Sequence, residues 1–206
     1  MSQIKAIFIL IISSSLSFAD INVSKTIFSD LPFSSQFIED GALIRNVNYK
    51  AVRSLIPQIN RKFGVNLKDR GESHITVITP PEAKGWFTPD HKGIHYLISS
   101  LELHQKYFSS LQNKKFKVLC VGRQTNDSGN DVFYLVVDSP ELFLVRNEIQ
   151  KELESRAGFT GKKTYFNSKN WHPHITIGFV GGDVHGVPKD IDTCVADIAL
   201  TPLKNF

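Results

Sequence analysis

Two segments of this chain, His74-Ile75-Thr76-Val77-Ile78 and His174-Ile175-Thr176-Ile177-Gly178, are nearly the same and stand 100 positions apart. Side chains alternate along a strand, so the histidine and threonine of each copy share one face, roughly 6 to 7 Å apart. Ile75 and Val77, or Ile175 and Ile177, face the other way and anchor each strand in a core. The register is thereby specified, because a one-residue slip would bury the imidazole. Brought together, the two strands would line a cleft with two imidazoles and two hydroxyls, a set that suits a phosphodiester. A neutral histidine removes a proton from water or a ribose hydroxyl while a protonated one delivers a proton to the leaving oxygen. Near pH 6.5 an unperturbed histidine serves in either role. The threonine hydroxyls can donate to the non-bridging oxygens where charge develops. Such a mechanism needs no metal and no cofactor.

Other side chains are weighed against this pair. His172 stands two before His174 and shares its parity, but Pro173 makes this the start of a strand; a supporting role and a two-histidine metal site are both weak alternatives. The absence of a third ligand at convincing spacing argues against the metal. His91 and His95 read as exposed loop histidines, with Gly93 between them. Trp171, Tyr165, Phe166, Trp86 and Phe87 flank the motifs in loops, where an aromatic can stack on a base or anchor its loop against the core. Tyr134 alternates with Phe133 and Leu135 and Arg123 ends the preceding strand, so either could touch phosphate. Thr76, Thr176, Tyr134 and Trp171 are the residues expected to bind substrate.

The elements that must hold these residues follow from pattern. Val52, Leu55, Ile56, Ile59 and Phe63 mark one face of a helix, with Gly64 past its end and Pro57 as a kink. Ser73 to Thr79 is β-branched and alternating, and Pro80-Pro81 ends it. A helix is expected over 101–111, capped by Ser99 or Ser100. Residues 116–122 and 132–138 form a hairpin around Asn126-Asp127-Ser128-Gly129-Asn130. Ser139-Pro140-Glu141 opens a helix whose buried face is Leu142, Val145, Ile149 and Leu153, up to Gly158. Residues 158–173 read as loop, 174–180 as a strand and 192–200 as the last strand. Residues 20–40 read as an irregular lead-in with one short strand. Mixed alternation without a regular βα repeat argues for an α+β fold.

Composition excludes collagen, disordered tails and cysteine-stapled mini-proteins: 206 residues carry 24 basic and 20 acidic groups, 41% hydrophobic residues and two cysteines. The formal +4 is scattered, which favours a small anionic ligand over an extended nucleic-acid surface. Lys5, the apolar run Ala6 to Ile12 and Ser17-Phe18-Ala19 follow the order of a secretory signal peptide, residues 1–19. The run falls short of the roughly 20 residues that span a bilayer; an uncleaved anchor is the alternative. Removing nineteen residues from 206 leaves 187, and losing Lys5 leaves 23 basic against 20 acidic groups, or +3. The expected mature domain, 20–206, is exported to the periplasm or secreted. After cleavage it is a monomer without stable membrane association. In an oxidising compartment Cys120 and Cys194 can pair, yet both sit in apolar segments where buried free thiols are ordinary.

The motifs resemble those of the two-histidine (2H) phosphoesterase superfamily, on His74-Ile75-Thr76-Val77 and on Pro173-His174-Ile175-Thr176-Ile177-Gly178-Phe179. The run from Gly71 to Glu82 looks most like the Swiss-army-knife, RNA-repair-like branch, and the resemblance covers roughly 43–200. It implies a two-lobed, pseudo-symmetric α+β fold, with mixed and antiparallel sheets lining a central cleft and helices outside. It also implies that His74 and His174 are the acid/base pair and that Thr76 and Thr176 bind phosphate. The implied partner is a small nucleotide or RNA-end phosphodiester, a 2′,3′-cyclic phosphate or a 2′,5′-linked nucleotide. The leader departs from cytoplasmic RNA-processing members and points away from intracellular RNA repair. A non-catalytic, exported nucleotide- or phosphate-binding or interaction protein on the same fold is the alternative.

Overall fold

A computed structural model describes residues 20–29, 41–85 and 90–202. The leader with its cut at Ala19, part of the lead-in, and Trp86 and Phe87 lie outside the described residues. The strands are β1 (Ile21–Ser24), β2 (Leu43–Asn46), β3 (His74–Ile78), β4 (Lys117–Thr125), β5 (Asp131–Asp138), β6 (His174–Val180), β7 (Cys194–Ala196) and β8 (Ile198–Thr201). The α-helices are α1 (Tyr49–Arg53), α2 (Ile56–Phe63), α3 (Pro80–Lys84), α4 (Ser100–Gln112) and α5 (Pro140–Thr160). Among the described residues the strands form an antiparallel pair β2-β3, a four-stranded antiparallel sheet in the order β6-β5-β4-β7, and a parallel pair β1-β8. The expected α+β class is therefore present, with one His-x-Thr strand in each antiparallel sheet. No helix among the described residues is long and apolar enough to cross a membrane.

The four-stranded sheet is covered on both faces. Val121, Phe133, Leu135, Val137, Ile175 and Ile177 join the main core, together with Leu142, Val145, Ile149 and Leu153 of α5. The opposite face carries Cys120, Val132, Tyr134 and Val136, which pack against Val184 from the segment that follows β6. Cys120 and Cys194 form a disulfide with Cα atoms 5.9 Å apart, tying β4 to β7. Of the two readings of these cysteines, pairing is the one the structure adopts. Their 74-residue separation closes a long loop. Replacing both with alanine should lower unfolding stability by about 2–4 kcal/mol. Urea titration without reductant measures this; an unchanged midpoint would show that the bond merely decorates the fold.

Several boundaries differ from expectation for identifiable reasons. The expected kinked helix is two helices, because Pro57 sits in the first turn of α2, where its missing N–H is harmless. The Ser54 hydroxyl donates to the Ala51 carbonyl at 2.7 Å and helps close α1. Pro80-Pro81 does end β3, but it also opens α3: Thr79 and Glu82 form a capping box, with N–H···O distances of 2.9 and 3.2 Å. Helix α5 passes Gly158 and stops at Gly161, whose φ of 65° suits a glycine. The expected last strand divides, because β7 pairs with β4 and β8 pairs with β1. Strand β2, four residues long, is additional to the elements that pattern marks.

One buried cation organises the approach to both motifs. Arg146 of α5 is fully buried. Its Nε donates to the Ser168 carbonyl at 3.0 Å, and its Nη2 donates to Glu82 at 2.8 Å and to the Asn167 and Asn170 carbonyls at 3.2 Å. Nη1 donates to the Val77 carbonyl and, at 3.2 Å, to Glu82. Phe166 and Trp171 flank the guanidinium, with ring centroids 4.7 and 5.6 Å away. Strand β3, helix α3 and the chain leading into β6 are thus fastened to one side chain.

Candidate active site

Strands β3 and β6 lie side by side although each hydrogen-bonds into its own sheet. Ile75, Val77, Ile175 and Ile177 are buried, and His74, Thr76, His174 and Thr176 each keep part of their surface open, as the alternation requires. The loop leading into β3 is joined to the edge of β6 by reciprocal backbone hydrogen bonds of 2.9 Å between Lys68 and Phe179. Gly178 permits that approach, because a Cβ there would stand 2.7 Å from the Lys68 carbonyl oxygen.

The two histidines have unlike surroundings. His174 donates from Nδ1 to the backbone carbonyl of His172 at 2.8 Å, which leaves the lone pair on Nε2. The Lys189 ammonium donates to that Nε2 at 3.3 Å. Burial, then the positive charge of Lys189, with smaller contributions from His74 and Arg70, pushes the His174 pKa down to about 3; the His172 carbonyl opposes the shift. His74 has a carboxylate neighbour instead, with Nδ1 3.4 Å from Glu72 Oε2. Arg70 lies 3.9 Å from Glu72 and 3.1 Å from Asp183, so the rim joins both motif-bearing segments. The symmetry expected from the sequence is broken: His174 is held neutral, while His74 faces an anion.

This has a consequence for stability. Between the ordinary histidine pKa of 6.5 and about 3, the unfolded chain binds a proton that folded His174 refuses, so stability is lost as the pH drops through that window. Burial lowers His95 and His104 as well, adding slope of the same sign. His174→Gln should therefore reduce, without abolishing, the loss of urea midpoint between pH 6.5 and pH 4. Equal losses in wild type and variant would contradict the burial of a neutral imidazole.

Tyr134 is fully buried rather than open to the cleft. Its hydroxyl donates to Thr193 Oγ1 at 2.7 Å, and its ring meets the His174 ring edge-on with centroids 5.6 Å apart. It supports His174 from beneath. Gly122, opposite Tyr134 in the β4–β5 register, makes room for the ring, since a Cβ there would come within 2.3 Å of Tyr134 Cε2. Gly122→Ala should cost about 1–3 kcal/mol by overpacking and lower turnover more than substrate affinity, because His174 loses its support. Wild-type stability and turnover in that variant would refute the packing argument.

Trp171 likewise faces protein: its indole N–H donates to the Thr76 carbonyl at 2.8 Å, and its ring packs against the core beside Arg146. The anchoring reading of this aromatic fits its contacts better than base stacking, and Phe166 shares it. Tyr165 stays exposed. Arg123 is engaged by Asp131 at 2.7 Å, at the Val180 end of β6 and away from His174. His172 is exposed, 3.4 Å from Asp190, and reaches His174 through its backbone. His91 and His95 are exposed, and His95 bonds the Ser100 hydroxyl at 2.6 Å.

Four further residues join this neighbourhood that no motif in the sequence marks: Arg70, Glu72, Asp183 and Lys189. Arg70 and Glu72 were open to discovery, because the two-residue alternation of β3 continued backward from His74 passes through both. Lys189 is isolated in sequence, between Pro188 and Asp190, and only folding brings it to His174.

His74 and His174 stand on adjacent strands, each with a threonine on the same face, the arrangement that the resemblance to 2H phosphoesterases implies. The Swiss Army Knife 2H phosphoesterase domain family matches residues 46–185, and the chain belongs to that family. Phosphoesterase activity in general, and hence a hydrolase, follows from that membership. Neither the curated proteins nor the solved structures provide a significant match.

Proposed function

We propose that this chain is an exported, metal-independent phosphoesterase that opens a 2′,3′-cyclic phosphate or cleaves a 2′,5′-linked nucleotide, with His174 as general base and His74 as general acid. The observation that carries the reading is the unequal pair itself: one imidazole kept neutral with its lone pair on Nε2, the other beside a carboxylate. For the cyclic phosphate, His174 Nε2 takes a proton from water as the water oxygen bonds to phosphorus. The bond to the 2′ or 3′ oxygen breaks, and His74 gives that oxygen its proton. Thr76 and Thr176 donate to the non-bridging oxygens. The two proton transfers balance within the pair, so the chemistry requires no added group. Arg70 and Lys189 add positive charge suited to a small anionic ester. The substrate is a compact nucleotide or RNA end, and the protein acts as a monomer free of the membrane.

The test is hydrolysis of cyclic and 2′,5′-linked nucleotides by the full chain in EDTA, with products identified, beside the His74→Ala/His174→Ala double variant. Turnover that vanishes in the variant supports the reading. Full activity without the histidines, or complete dependence on added metal, would sink it. A second reading, an exported nucleotide- or phosphate-binding protein without turnover, draws on the Lys189 amine seated on the very nitrogen a base would use. Calorimetric binding with no product would favour it.

A further inference from the structure

We propose that Lys189 is the phosphate-binding cation of this site, an ammonium that rests on His174 Nε2 and moves to a non-bridging oxygen of the bound phosphate, leaving the Nε2 lone pair to accept the proton. The inference rests on the phosphodiester reading above. Four observations support it. Lys189 is buried, with 4% of its surface open, an expensive place for an ammonium unless an anion repays the desolvation. Its Nζ lies 3.3 Å from His174 Nε2, so a phosphate at that nitrogen would also be within its reach. The ring of Tyr134, its centroid 5.5 Å away, holds it from beneath, and the disulfide and Val184 hold the segment that carries it. Burial, with Arg70 adding to it and Asp183 opposing, lowers the Lys189 pKa, a direction that a bound phosphate anion beside the ammonium would oppose.

The charged groups facing His174 are Lys189, His74 and Arg70; those facing Lys189 are Asp183 and Arg70. Removing Lys189 therefore takes one cation from beside His174 and leaves Asp183 in place. The exchange also gives the two histidines a division of labour. Without phosphate, His174 is covered by the amine; with phosphate, the amine has a better acceptor and the base is uncovered.

The experiment uses the full, oxidised chain and inorganic phosphate as probe, with Lys189→Met and Lys189→Arg. Calorimetry should show phosphate binding in wild type, weakened about 10- to 100-fold in Lys189→Met and largely restored in Lys189→Arg. In nuclear magnetic resonance titrations the His174 ring should protonate closer to pH 6.5 in Lys189→Met and stay near its wild-type position in Lys189→Arg. Phosphate affinity equal to wild type in Lys189→Met, an unmoved His174 titration, or no phosphate binding by the wild type would each overturn the proposal. Neither readout requires turnover. Lysine-dependent phosphate binding without hydrolysis of any nucleotide would retain Lys189 as anchor and reject the catalytic reading.

Discussion

His174→Gln is expected to lower kcat/KM by about 10²- to 10⁴-fold and to remove the acidic limb of its pH profile, whereas His74→Gln should cause a similar loss and remove the alkaline limb. The limbs differ because the environments differ. His174 is kept neutral by burial and by Lys189, so the wild-type acidic limb should lie well below pH 6.5. His74 has Glu72 3.4 Å from its Nδ1, and in the proposed division of roles it supplies the leaving oxygen's proton. Because the pair acts as a unit, the double variant should be little worse than either single one. Steady-state kinetics on a cyclic nucleotide between pH 4 and 9 would decide. Removal of the same limb by both substitutions would reverse or erase the assignment of roles.

Arg146→Met should destabilise the fold by about 3–5 kcal/mol, the range seen when one partner of a buried ion pair is removed. The loss is large because Glu82 would remain without its guanidinium and four carbonyls, those of Val77, Asn167, Ser168 and Asn170, would lose a donor. Arg146→Lys should recover little of it. A lysine brings three donors on one nitrogen, and a planar fork between two aromatic rings is what this place requires. Urea unfolding followed by circular dichroism would show a lowered midpoint with little change in slope. A shift below about 1 kcal/mol, the usual range for exposed ion pairs, would mean that the segment leading into β6 is held by other contacts.

The two His-x-Thr strands are legible because their signal is local. A histidine and a threonine separated by one residue, opposite buried isoleucines, need only the pleat of a strand to share a face. The hairpin of β4 and β5 and the cap of α5 were legible for the same reason. What escaped depends on chain segments that meet only in space. Arg146 did leave a trace: it stands four residues after Leu142 and one after Val145, so helical spacing sets a charge inside an apolar stripe. Its many acceptors lie on β3, α3 and residues 167–170, which no spacing in the helix reveals. Alternation places Tyr134 in a strand with Phe133 and Leu135, yet whether its face opens to a cleft depends on the segment after β6 that covers it. Strand β2 is too short to show alternation and includes the buried Arg45, so neither length nor hydropathy marked it.

The bond between Cys120 and Cys194 bears on when the site is completed as well as on how firmly it is held. Cys194 is synthesised 74 residues after Cys120, and β7 is the end strand of its sheet. Both His-x-Thr strands and Lys189 therefore leave the ribosome before the bond that secures the segment between β6 and β7 can close. The cytosol keeps most thiols reduced. A chain retained there would possess every reacting group without the final latch on the one that reaches across to His174. Oxidation would then act as the last step of maturation, making full competence a property of the compartment in which the chain finishes folding.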